Sequence, residues 1–175
     1  MTLSTTLITQ LQYHRWATGQ IMEEAVALSA EQLMTNLKTS FGGVYETIVH
    51  LYQSDRIWLD RLEERPSGKF EDYTAPGCVW ELSDAWAEVQ QQLIVFASGL
   101  READMDRSIT YRNLAGQTFS SPIWQILLHV VNHGTHHRGQ VTAMIRQLGR
   151  TPTNLDLIRY HRSVVPEQLA EPATR

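Results

Sequence analysis

Apolar residues return at spacings of three and four in four long stretches of the chain, the period of helices with one buried face. Leu7, Leu11, His14, Thr18, Ile21, Ala25 and Leu28 form one such stripe and predict a first long helix over residues 3–28. Ser29 with Gln32 offers a capping box for a short helical turn. After the breaker pair Gly42-Gly43, a second long helix is predicted over 44–64, stopping before Pro66. Residues 65–78 (RPSGKFEDYTAPGC) are rich in proline and glycine and read as a long connection that permits a crossover. Ser83 is a favourable N-cap, so the third long helix is expected from there to Leu100.

Residues 107–119 (RSITYRNLAGQTF) break the helical period. Ile109 and Tyr111 alternate with polar neighbours, Asn113 to Gly116 can turn, and Thr118-Phe119 resume, which predicts a small β-hairpin. Ser121 as N-cap and Pro122 at the first helical position then open a fourth helix. It runs to Leu148, where Gly149 is the expected C-cap and Pro152 blocks resumption. A short helix is expected over 154–162. The fold class is therefore all-α: a four-helix bundle with a small β-hairpin before the fourth helix and a short C-terminal helix. One domain is expected over 1–165, with a disordered tail over 166–175.

Composition narrows the function. A chain of 175 residues that is 42% hydrophobic can bury a sizeable core. A net charge of −4, with Lys and Arg scattered, argues against sequence-independent nucleic-acid binding. Cys78 is the single cysteine, which excludes an internal disulfide and a cysteine-based zinc site. No apolar run approaches the roughly 20 residues of a membrane span. The N-terminus lacks a basic stretch followed by an apolar core, so a cytoplasmic protein is expected.

The seven histidines carry the candidate chemistry. His129, His133, His136 and His137 fall within one stretch of the fourth helix; His14, His50 and His161 lie elsewhere. Residues four apart on a helix stack one above the other, so His133 and His137 can offer two neutral imidazoles to one divalent ion. With His133 at zero on the helical wheel, the apolar sector centres at about 60° and His137 falls at about 40°. His129 and His136 lie progressively further out. Satisfied core histidines are the bland alternative. However, burying two polar rings without partners costs about 1–3 kcal/mol each, which favours the metal. Gly134 stands where a zincin helix needs glutamate, so that motif is excluded. A third ligand must come from His14 or His50, and periodicity slightly prefers His14 without deciding.

Other groups read as ordinary. Glu46, one turn before His50, is read as a solvated residue before a second-shell partner or fourth ligand. Asp55 and Asp60 are expected at the surface and Arg138 in a structural role. His161 is unremarkable. Gln140 can line the pocket, and Trp16, Trp58 or Trp124 can wall a substrate cavity.

The segment His129–Gln140, HVVNHGTHHRGQ, resembles the signature of the DinB-like family, grouped with YfiT-type metal-dependent enzymes and distinct from the DNA polymerase that shares the name. YHRWATGQI near the N-terminus is similar to the family's Tyr-Asn-x-Trp-Ala-Asn opening. VHLYQSDRIWLDRL resembles its histidine-bearing second helix, and the hairpin and LGRTPTNLDLIRY also fit. The resemblance implies a metal held by His50, His133 and His137, which places His50 rather than His14 as third ligand. This chain departs from the pattern in carrying His14 and Thr18 where the family's opening has asparagines. Zinc or nickel is the expected cofactor, and a small thiol or electrophile the expected partner, in a homodimer. Relatives include S-transferases that use bacillithiol or mycothiol and a mycothiol-dependent isomerase. The expected function is thus thiol activation for S-transfer to small electrophiles. A hydrolase using metal-bound water, and a non-catalytic stress-induced metal-binding protein, are the alternatives.

Overall fold

The computed structural model describes residues 1–113 and 115–166. Helix α1 (Leu3–Val26) starts where the Thr2 side chain accepts the Thr5 N–H. The short α2 (Ala30–Met34) is opened by the expected capping box, Ser29 with Gln32. Helix α3 (Val44–Leu62) and helix α4 (Val79–Ser98) follow. An antiparallel hairpin, β1 (Ser108–Arg112) with β2 (Thr118–Pro122), precedes α5 (Ile123–Gln147). A last turn, α6 (Leu157–Arg159), widens into a π-helical stretch over Tyr160–Val164.

The four long helices pack as a square: α1 against α4 and α5, and α3 against the same two. Consecutive long helices α1 and α3, and likewise α4 and α5, therefore face each other across a diagonal. Those diagonal steps run through α2 and the hairpin, whereas the 65–78 connection joins the neighbours α3 and α4. Leu11, Ile21, Ile48, Leu51, Leu82, Trp86, Leu93 and Leu127 are shut from solvent along the inner faces. Each such side chain contributes about 1.5–3 kcal/mol through burial.

The starts of two long helices differ from expectation. Helix α4 begins at Val79, behind Cys78, and no side chain caps it. Val79 and Leu82 both pack on the core, and Leu82 N–H reaches Cys78 O at 2.9 Å, so apolar burial adds a turn ahead of Ser83. At the start of α5, Ser121 and Pro122 are the last residues of β2 rather than N-cap and first helical turn. The free N–H groups of Ile123 and Trp124 are taken by the carbonyls of Arg107 (3.0 Å) and Met105 (3.1 Å). The base of the hairpin thus does the work of a side-chain cap. At the other end Gly149, at φ +81°, closes α5 with Arg150 N–H on Ile145 O, as a glycine cap should. Most of the expected disordered tail, residues 167–175, lies outside the described residues. Among the described residues no helix is long and apolar enough to cross a membrane.

Candidate metal centre

Helix α3 presents His50, and α5 presents His133 and His137, to one point between them, with one ligand nitrogen from each within 4.8 Å of the other two. The Nε2 atoms of His50 and His133 are 3.3 Å apart. Bonds of about 2.05 Å to a tetrahedral ion separate its ligand atoms by about 3.3 Å. His137 is 8% exposed while the other two rings are half-buried, so one side of the cluster stays open. Phe41 stacks on His50 at 4.0 Å between centroids and meets His137 edge-on at 5.4 Å, and Phe70 lies 5.1 Å from His50. These rings hold the imidazoles in place without offering them a hydrogen bond.

Protonation favours ligation. Burial, aided by the charge of neighbouring His137, pushes the pKa of both His50 and His133 down to about 4. Both are neutral lone-pair donors near pH 7. His137 Nδ1–H donates to Gln140 Oε1 at 2.8 Å, which fixes the tautomer and leaves Nε2 free. The Gln140 amide in turn donates to His136 Nε2 at 3.2 Å, so exposed His136 steadies the orienting residue. Three imidazoles with an open side, His50 and His133 held neutral by burial, fit a zinc- or nickel-type ion that keeps positions for an outside ligand. Among the described residues no carboxylate joins the cluster. The Oε2 atom of Glu46 is buried without a partner, beside the backbone of Gly43.

His14 is not part of this centre. It belongs to a second polar cluster built from all four long helices and nearly sealed from solvent. His14 Nε2–H donates to Asp55 Oδ2 at 2.9 Å, and its Nδ1 accepts from Arg138 at 2.8 Å. Trp86 Nε1–H also donates to Asp55 Oδ2, at 2.7 Å, and Gln90 bridges Asp55 to Thr18. Burial opposes the Asp55 charge, but His14 and the Trp86 N–H outweigh it and hold the carboxyl below its ordinary pKa. Burial pushes His14 down, against the pull of Asp55, so neutral His14 sits between the Asp55 anion and the Arg138 cation. Asp55 is 1% exposed, not the surface charge its polarity suggested. A Cβ at Gly134 would come within 2.3 Å of His14 Cε1, so glycine is what lets this cluster close against α5.

The remaining candidates sort plainly. His129 is exposed, edge-on to Trp58 at 5.0 Å and 5.7 Å from His133. Trp58 thus packs between His129 and the hairpin residue Tyr111 and makes no ring contact with the triad. Trp16 packs with Tyr13 and Tyr160, away from it, and Trp124 lines a shallow cavity of about 430 Å³ with His129. Asp60 accepts from the Tyr73 hydroxyl at 2.6 Å and pairs with Arg65. His161 is exposed beside Tyr160. Phe41 and Phe70 were not singled out from sequence, because loop aromatics carry no period.

The chain is similar to known proteins along most of its length. It is 25% identical over 155 residues to Protein DinB of Bacillus subtilis (strain 168), covering 83% of this chain and 89% of that one. It is 30% identical over 82 residues to the uncharacterized protein YrdA of the same organism, 46% of each chain. Among solved structures, a DinB-like protein from Bacillus cereus ATCC 10987 superposes with TM-score 0.66 at 20% identity, over 85% of this chain and 94% of that one. The DinB-like protein YjoA of Bacillus subtilis gives TM-score 0.62 at 17% identity, over 85% and 96%. These two likenesses show a shared fold. The family model described as DinB family matches residues 1–171, and the chain belongs to the DinB family.

Proposed function

We propose that this protein is a metal-dependent enzyme in which His50, His133 and His137 hold zinc or nickel and a low-molecular-weight thiol is activated for transfer to a small electrophile. The observation that carries the reading is the pair of facing Nε2 atoms at 3.3 Å, with His137 turned to them by Gln140. A divalent ion so held would lower the pKa of a thiol or water at its free positions. The protein's own part is positioning. Phe41 and Phe70 fix His50, and Gln140 fixes the His137 tautomer. Phe41 and Phe70 give apolar surface beside the triad that suits a small electrophile. Among the described residues the cluster holds no carboxylate, which suits a thiol that enters as its anion and needs no standing general base.

Calorimetric titration of metal-loaded protein with a panel of cellular thiols tests this. Saturable binding that is lost in His133→Ala is expected. No thiol binding, together with hydrolysis of model esters rising through a pKa of about 7, would overturn it in favour of a hydrolase.

A further inference from the structure

Arg61 stands on the same face of α3 as His50, about 16 Å further along at 1.5 Å per residue. Its side chain is 7% exposed, yet no carboxylate lies within ion-pair distance among the described residues. The planar guanidinium lies against two aromatic rings, 4.5 Å from Trp58 and 4.9 Å from Tyr111. The two rings meet edge-to-face at 5.1 Å between centroids, so together they flank one side of the guanidinium and hold it in place. One edge hydrogen is used, NH2 to the Arg112 carbonyl at 3.0 Å, and the Nε atom is buried without a partner. A cation this deep normally has its donors answered by an acid or by several carbonyls.

Arg61 borders a cavity of about 660 Å³ between the end of α3 and the hairpin. Alternate residues of β1, Ser108, Thr110 and Arg112, line it, bringing two hydroxyls and a second cation. The other charges on its wall are already matched: Arg65 pairs with Asp60 and Glu63, and Glu64 pairs with Arg107. Arg61 and Arg112 are left over, facing one cavity, with hydroxyls between. We infer that this cavity is an anion subsite in which the Arg61 edge and the Arg112 side chain hold the carboxylate or phosphate of a small polar molecule. Arg61 is pre-set for it by Trp58 and Tyr111, so little side-chain entropy is lost on binding. The inference stands on Arg61 and the cavity alone and does not need the metal reading.

The test follows arginine Nε–Hε signals of the full-length protein by NMR, in separate titrations with inorganic phosphate and with succinate. A saturable shift of the Arg61 signal is expected with at least one of them. Saturation by phosphate alone assigns a phosphate ligand, and by succinate alone a carboxylate. Affinity should fall at least about tenfold in Arg112→Gln, an exposed position that leaves the core intact, as loss of a charge-assisted hydrogen bond requires. Binding should vanish in Arg61→Gln and persist in His133→Ala, which separates failure here from failure of the metal centre. Shifts that grow linearly with both anions, or unchanged affinity in Arg112→Gln, would overturn the subsite.

Discussion

Two polar clusters with histidine at their heart lie within one bundle, and they are built on opposite terms. Around His14 every ring nitrogen has a protein partner, the charges of Asp55 and Arg138 balance, and solvent is shut out. Around His50, His133 and His137 the ring nitrogens face one another across one point, burial disfavours charge on His50 and His133, and one side is open. Burial alone does not separate a structural histidine from a ligand. What separates them is whether the protein itself answers the ring nitrogens. The first cluster ties four helices together, and the second leaves a debt that an ion can settle.

Breaking the first cluster should give the largest effect. Asp55→Ala strands the donors of His14, Trp86 and Gln90 and leaves Arg138 without its counter-charge. A loss of about 3–5 kcal/mol is expected, read by urea denaturation. A loss below about 1 kcal/mol would mean that water or rearrangement replaces the carboxylate. The matching change in the second cluster is Gln140→Ala, which frees the His137 tautomer. Metal affinity should fall about 10- to 100-fold with the fold intact, measured by competition with a chelator. Unchanged affinity would show that Gln140 does not orient His137.

A third effect is a matter of pH. Folded His50 and His133 titrate at about 4, below the unfolded value of about 6.5. Between those limits the unfolded chain binds protons that the folded chain refuses, so stability of the metal-free protein falls as pH drops from 6.5 toward 4. Above 6.5 both states are neutral and these rings contribute no slope. Replacing both by glutamine should flatten the fall. An unchanged profile would place its origin elsewhere.

How much was legible follows from the same contrast. The long stripes of α1 and α5 and the alternation of Ile109 and Tyr111 are local patterns, and those elements form in the stretches expected, the first turn of α5 excepted. His133 and His137 are one turn apart and could be paired from spacing, but His50 needed the family resemblance, because its neighbours are 83 and 87 residues away. His14 was rightly placed inward by its stripe, yet its role depends on Asp55, 41 residues on. Asp55 itself was misread, since the acceptor it provides is demanded by side chains of two other helices far along the chain. The starts of α4 and α5 were misplaced for a similar reason: core packing and hairpin carbonyls, not local serines, set them.

Elemental analysis of untagged protein beside His50→Ala is the most direct check on the triad. The wild-type chain should carry about one zinc- or nickel-type ion per chain, since three imidazoles and an open position suffice to retain it. The variant should carry almost none while unfolding cooperatively at a similar urea midpoint in metal-free form. Equal metal in both, or a wild-type protein that takes up neither ion on dialysis, would contradict the account.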